Sequence, residues 1–206
     1  PELLRRTVIT EIPPRSVVTP SPTQLTANVR IAIAKDAAFG FYYPDDLAAF
    51  VRAGAELVPF DTLNDARLPA VDGLFIGGGF PESFISTLAA NQTLQRDIRD
   101  FIENGGPSYA ECGGLMYLCR SLRWHEDYGE MVGVIPADAV IEQKPVGRGY
   151  ARFQPRETHP WPGADGDDCP AHEFHYARLV SLPSDTRWAS SVTRGHGIDG
   201  EHDGIV

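Results

Sequence analysis

The sequence predicts an α/β fold: a mostly parallel sheet flanked by helices, with additional antiparallel strands in the C-terminal half. Two observations carry this expectation. From residue 29 to residue 122, apolar strand-like runs alternate with stretches whose apolar residues recur at helical spacing. That β-then-α order builds a parallel sheet. After Arg123 the helical spacing gives way to short strand-like runs among Gly, Pro and Asp, which predicts a mixed, partly antiparallel sheet.

Taken in order, residues 1–28 are rich in Pro, Thr and Ser. They read as an extended interdomain linker from a domain further upstream. Pro1 is not a start residue, so the chain is expected to have been cut from something longer. Residues 29–34, VRIAIA, are the first strand, buried on both faces. Residues 35–44 form the loop that leaves it and carry Phe39, Phe41, Tyr42 and Tyr43. Ligands bind on that side of open α/β sheets, and the aromatics serve either a ligand or the packing of the next helix. Asp45 or Asp46 is expected to cap a helix that reaches Ala53 and ends at Gly54.

Residues 56–60 form a second strand, with Pro59 marking an edge position. A turn-rich connection leads to a third strand over 71–76, which runs into Gly77-Gly78-Gly79-Phe80-Pro81-Glu82. Helices are expected over 81–90 and 92–104, the second with Leu94, Ile98, Phe101 and Ile102 on one face. Leu115, Leu118, Cys119 and Leu122 then continue the buried face of one further helix. In the C-terminal half, strand-like runs cover 131–136, 146–153, 188–192 and 203–206, with a loop over 157–170.

Composition narrows the function classes. Hydrophobic content of 42% and charged content of 22% are those of a globular protein. A net charge of −10 argues against nucleic acid or an anionic membrane as partner. No apolar run approaches the length of a membrane helix. Cys112, Cys119 and Cys169 are odd in number and lack metal-like pairing. They read as reduced thiols in a cytoplasmic protein.

The chemistry is expected at Ser108-Tyr109-Ala110-Glu111-Cys112-Gly113-Gly114. A short strand, a tight turn and a helix would place the Cys112 thiol at a helix N-terminus. The dipole and free N–H groups there favour a thiolate. Gly113 and Gly114 would let a substrate approach and the backbone take a strained turn. The alternative is a small buried cysteine on a helix. The glycines Gly77, Gly78 and Gly79 sit at a strand end, where N–H groups can converge on an anion. They do not form a phosphate loop, because no Lys-Ser/Thr follows. They are either a tight turn or, taken with Cys112, half of an oxyanion hole. His172-Glu173-Phe174-His175 suggests a metal. On a strand, however, the two histidines would point to opposite faces, and no third ligand is evident. A polar network near the site is the expectation, with no metal.

Residues 29–44, the Asp72-to-Glu82 run, Tyr109 to Leu118 and His172-Glu173-Phe174-His175-Tyr176 form an ordered set. Together they resemble the glutamine amidotransferase domain of the cobyrinic acid a,c-diamide synthase family, over about residues 29–206. The resemblance implies a class I (triad-type) glutamine amidotransferase fold with a flavodoxin-like sheet. It implies that Cys112 attacks the glutamine side-chain amide and forms a glutamyl thioester. Backbone N–H groups of Gly113 and of Gly78 or Gly79 would hold the oxyanion, while His172, Glu173, His175 and Tyr176 would shape the site. No cofactor is expected in this domain. Ammonia would pass to an N-terminal synthetase domain that uses ATP and Mg²⁺ to amidate a tetrapyrrole carboxylate. A homodimer is left open. The family's catalytic histidine lies past the last strand, where this chain ends at Asp203-Gly204-Ile205-Val206. The chain as given is therefore expected to be a weak glutaminase or none. Three other readings stay open: amidation of hydrogenobyrinate or a sirohydrochlorin-type macrocycle, an inactive scaffold or regulatory module, and a stand-alone cysteine hydrolase.

Overall fold

A computed structural model describes residues 29–161 and 168–206. The expected linker over 1–28 lies outside the described residues, as does the 162–167 part of the expected loop. In chain order the first half contains Val29–Ala34 (β1), Phe39–Phe41 (β2), Pro44–Arg52 (α1), Ala55–Phe60 (β3), Gly73–Ile76 (β4) and Gly78–Gly79 (β5). A 3₁₀ turn at Pro81–Phe84 leads to Ile85–Ala90 (α2), Gln92–Glu103 (α3), Ser108–Ala110 (β6) and Gly113–Leu118 (α4).

The parallel sheet has the order β3-β1-β4-β6. Its interior is apolar because β1 and β4 are covered on both faces: Ala32, Ala34, Leu74 and Ile76 are buried on one, Ile33 and Phe75 on the other. Pro59 sits on β3, at the edge, where its missing N–H costs no ladder bond. From β1 the chain steps to β3 on one side and then to β4 on the other. The carboxyl ends of β1 and β4 therefore face a topological switch point, where α/β sheets hold their ligands. The stretch after β1 is not only a loop. Phe39 and Phe41 pair antiparallel with Gly79 and Gly78, which makes β2–β5 a small ribbon over those carboxyl ends.

Asp45 and Asp46 do not cap α1. Tyr43 holds the N-cap position with extended backbone angles and no side-chain cap. Pro44 takes the first helical position, where its fixed φ suits the helix, and this pushes both aspartates into the first turn. Leu94 and Ile98 of α3 are fully buried, with Phe101 and Ile102 packed at the rim of the core. The helix expected to run on to Leu122 stops at Leu118. Cys119–Trp124 is instead a strand (β7), followed by Asp127–Glu130 (β8) and Ile135–Ile141 (β9). Pairing decides this: β7 lies parallel to β9 and antiparallel to β8. Asp138 of β9 locks the register, accepting from the buried Ser121 Oγ at 2.7 Å and from Arg120. The run expected as a strand over 131–136 is mostly a link. Gly133 turns there at φ +79°, and the Met131 and Val132 side chains are buried before β9 begins.

The remaining strands are Gly147–Pro155 (β10), Cys169–His175 (β11), Ala177–Val180 (β12), Trp188–Arg194 (β13) and His202–Ile205 (β14). The sheet β11-β10-β13-β14 is antiparallel throughout. The sheet β12-β9-β7-β8 is mixed. Among the described residues no helix is long and apolar enough to cross a membrane.

Candidate active site

Cys112 stands two residues past β6, beside the turn that leaves β4. Its backbone has φ +49° and ψ −111°, a region that a residue with a Cβ adopts only under strain. The strain belongs to Cys112 and not to the glycines after it, which open the six-residue α4. Those glycines are there for packing. A Cβ on Gly114 would lie 2.2 Å from the Ile76 carbonyl oxygen, and one on Gly113 would lie 2.9 Å from the Gly79 nitrogen. The expected opening for substrate at Gly113 and Gly114 is thus a backbone-to-backbone contact with β4 and β5.

The same contact brings two amide groups to the sulfur. The Gly113 and Gly79 N–H groups face the Cys112 thiol and favour its charged form. Gly78 lies against the Cys112 Cβ, 3.7 Å from a Cβ built at position 78. Two further bonds fix the approach of the segments: Glu111 N–H donates to the Ile76 carbonyl at 3.1 Å and Gly114 N–H to the Gly77 carbonyl at 3.2 Å. Cys112 as a residue is exposed, yet desolvation by the segments packed around its sulfur is the larger influence and pushes the thiol up. The charges of Glu82 and Glu111 add to it, and the two N–H groups only partly offset it. The expected thiolate is therefore disfavoured.

Tyr42 organises the glycine turn, a role the sequence did not reveal. Its Oη donates to the Ala34 carbonyl at 2.6 Å and accepts from Gly77 N–H at 3.2 Å. Burial pushes its phenol up to about 12. Asp36 sets the ribbon from the other side, accepting from Ala38 and Phe39 N–H and from both donors of the buried Thr62. The only signal in the sequence was a charge and an aromatic in a loop at a strand's carboxyl end. Glu82 was also missed: its Oε2 is shielded from solvent and has no hydrogen-bond partner among the described residues.

The second expected group divides across β11. Glu173 and His175 share the half-buried face, while His172 and Phe174 share the exposed one, as the two-residue period of a strand requires. Glu173 accepts from His196 N–H at 2.8 Å and from Gly197 N–H at 3.0 Å. His175 Nδ1 donates to the Ala177 carbonyl at 2.9 Å, and its Nε2 lies 3.8 Å from Glu173 Oε2. His172 packs edge-on to Tyr150, and Tyr176 edge-on to Phe174, away from the Glu173 side. Among the described residues no hydrogen bond joins this group to Cys112. The charges of His175 and Glu173 act on Asp203 of β14, and the charge of Asp203 acts on Tyr109 of β6. Burial raises the Asp203 carboxyl. No group of three or more metal-ligating side chains lies together among the described residues.

Residues 30–206 match the model of the CobB/CobQ-like glutamine amidotransferase domain. The chain belongs to that family. It is 45% identical over 193 residues to a cobyrinate a,c-diamide synthase of Magnetococcus marinus, covering 94% of this chain and 41% of that protein. A protein of the same name from Archaeoglobus fulgidus is 44% identical over 179 residues, covering 86% and 38%. The chain thus spans about two fifths of the length of these curated relatives. Among solved structures, PurLQS from Thermotoga maritima aligns with a TM-score of 0.62 at 15% identity, covering 84% of this chain and 78% of that one. A glutamine amidotransferase from the same organism aligns with a TM-score of 0.59 at 13% identity, covering 87% and 72%. These two likenesses establish the class I glutamine amidotransferase fold, and the closer sequence relatives establish the family.

Proposed function

We propose that this domain is the glutaminase part of an ATP-dependent a,c-diamide synthase acting on a tetrapyrrole. The observation that carries the reading is Cys112 itself, held at a strained φ with the Gly79 and Gly113 N–H groups facing its sulfur. Once deprotonated, the thiolate attacks the side-chain amide carbon of glutamine. The carbonyl oxygen becomes an oxyanion, which these two N–H groups stabilise without rearranging. The proton given up by the thiol goes to the amide nitrogen, so that collapse of the tetrahedral species breaks the C–N bond, expels ammonia and leaves a glutamyl thioester; water then cleaves the thioester to glutamate and restores the thiol. His172 lies on the exposed face of β11, and among the described residues no hydrogen bond joins it to Cys112. Glu173 and His175 belong to a cluster that shapes the wall near Tyr109.

The relatives' name supports the wider assignment. Ammonia would pass to a synthetase domain outside this chain, where ATP and Mg²⁺ activate the tetrapyrrole carboxylate. None of residues 29–206 is assigned to those ligands. The setting is the cytoplasm, consistent with the free state of Cys112, Cys119 and Cys169.

The test is labelling with 6-diazo-5-oxo-L-norleucine, an electrophilic glutamine analogue, with the adduct mapped by mass spectrometry. A single adduct on Cys112, prevented by excess glutamine, is the expected result. Slow and equal labelling of Cys112 and Cys169 would instead identify an amidotransferase-like scaffold without activity.

A further inference from the structure

Glu82 follows the buried Pro81 in the 3₁₀ turn that leaves β5. This turn packs beside α4, and Glu82 is near enough to Cys112 for its charge to act on the thiol. Its Oε2 is cut off from solvent and accepts no hydrogen bond among the described residues. A carboxylate oxygen so placed has lost its hydration without replacement, which costs more than the same loss at a neutral group. A ligand that brings a donor removes the penalty, and a charged donor does so best. The other carboxylate near the sulfur is already engaged: Glu111 accepts from Tyr109 Oη at 3.0 Å. Of the two, only Glu82 has an oxygen that is both shielded from solvent and unpaired among the described residues. The field at this spot is negative, since Glu82 and Glu111 both act on the thiol and Asp46 faces Glu111. Such a place suits a cation better than a neutral amide.

We propose that Glu82 receives the α-ammonium group of the substrate, and so selects a free amino acid over a γ-amide whose amino group is absent or acylated. The proposal rests on the glutaminase reading and assigns a specificity-determining residue within it. It also gives the high thiol pKa a purpose. Desolvation and the two carboxylates push the Cys112 thiol up. A bound ammonium offsets the carboxylate charge, so the nucleophile is activated when substrate is present and protected from stray electrophiles when it is not.

The experiment uses the full-length protein, wild type and Glu82→Gln, with three reagents at fixed neutral pH. These are 6-diazo-5-oxo-L-norleucine, its des-amino analogue 6-diazo-5-oxohexanoate, and neutral iodoacetamide. Wild type is expected to prefer the amino form by on the order of tenfold to a hundredfold in labelling of Cys112, the range of one charge-assisted hydrogen bond. Glu82→Gln is expected to lose most of that preference while its Cys112 reacts faster with iodoacetamide. A loosened site would move the two reagents in the same direction. The buried Cys119 reports folding. If Glu82→Gln exposes it to labelling, Glu82→Met takes its place with the same expectation. Preference for the amino form retained in the folded variant would overturn the proposal, as would its absence in wild type. Iodoacetamide labelling of wild-type Cys112 with no capture of either diazo compound would instead overturn the glutaminase reading beneath it.

Discussion

Gly114 and Ile76 meet backbone to backbone: a Cβ at position 114 would lie 2.2 Å from the Ile76 carbonyl oxygen. This contact seats the start of α4 on the end of β4. It thereby fixes the distance between the turn bearing Cys112 and the turn bearing Gly79. Neither partner can yield, because one is helix backbone and the other is a buried central strand.

Gly114→Ala is therefore expected to destabilise the fold by about 2–3 kcal/mol, the upper part of the overpacking range, and to abolish capture of the glutamine analogue at Cys112. Gly105→Ala is the control. Its φ is +85°, but nothing lies within 4 Å of the added methyl, so the cost is only that of the left-handed backbone, about 1 kcal/mol. Urea unfolding of both variants checks the ranking.

Cys112 pays for its position with conformational strain at φ +49°. Glycine tolerates that region and alanine does not. Cys112→Gly is expected to be more stable than Cys112→Ala by about 1 kcal/mol, after allowing for glycine's larger unfolded-state entropy. Both variants lose glutamine-analogue labelling completely. Thermal unfolding of the pair reads the strain directly, and equal midpoints would show that the surrounding structure imposes none.

What the sequence made legible was what local pattern encodes. The apolar run of β1 and the strand–turn–helix around Cys112 stood out because adjacent residues determine them. So did the opposed faces of His172 and His175, which follow from the period of a strand. The β2–β5 ribbon did not stand out. It pairs Phe39 and Phe41 with two glycines that carry no alternating pattern. The end of α4 at Leu118 was equally hidden, since Leu115, Leu118, Cys119 and Leu122 satisfy helical spacing whether or not the chain is helical there. Pairing of β7 with β8 and β9 overrode that spacing, and such pairing is a tertiary fact. The rise in the Cys112 pKa was also unreadable, because burial depends on what covers the site and not on its neighbours in sequence.

Cys119 makes stability sensitive to alkali. Burial, with the charge of Asp138 added and that of Arg120 opposing, pushes its thiol from 9.0 up to about 12. The folded state therefore keeps a proton that the unfolded state releases above pH 9. The stabilisation from this group is complete below that pH and is lost as pH rises through the folded value. Cys119→Ala removes the effect. Between pH 9 and pH 11, wild type is expected to lose about 2–3 kcal/mol more than the variant, although the variant begins less stable because of the cavity. Denaturant titrations at the two pH values measure the difference.

Asp203 behaves in the opposite practical sense at neutral pH. Burial raises its carboxyl, with Glu173 and Asp199 adding to the rise and His175 and the Gly204 N–H opposing it. A raised acid is favoured in the fold when protonated, so its contribution is present below the unfolded pKa and lost as pH climbs through the folded one. At pH 7 the charged group is a burden. Asp203→Asn keeps an acceptor for the Gly204 N–H, which Asp203 Oδ1 holds at 2.6 Å. It is expected to stabilise the protein at pH 7, with the advantage vanishing as pH falls below 4. An advantage that persisted unchanged in acid would point to packing instead of charge.

Glu173 ties β11 to the turn before β14 by accepting two backbone N–H groups, those of His196 and Gly197. The bonds span more than twenty residues of sequence, and the Glu173 side chain is only 9% exposed. Water cannot easily replace the carboxylate if it is removed. Glu173→Ala leaves both donors unpaired and is expected to cost about 2–4 kcal/mol, one to two for each orphaned amide. Glu173→Gln offers one oxygen in place of two and is expected to cost roughly half as much. Because Asp203 couples this cluster to Tyr109, the loss would reach the wall of the Cys112 site. Hydrogen exchange at His196 and Gly197 separates the two effects. Fast exchange confined to that turn, with Cys112 labelling intact, would make Glu173 a clamp for the C-terminal sheet alone. Fast exchange accompanied by slowed labelling would make it a positioning residue for the surroundings of Cys112.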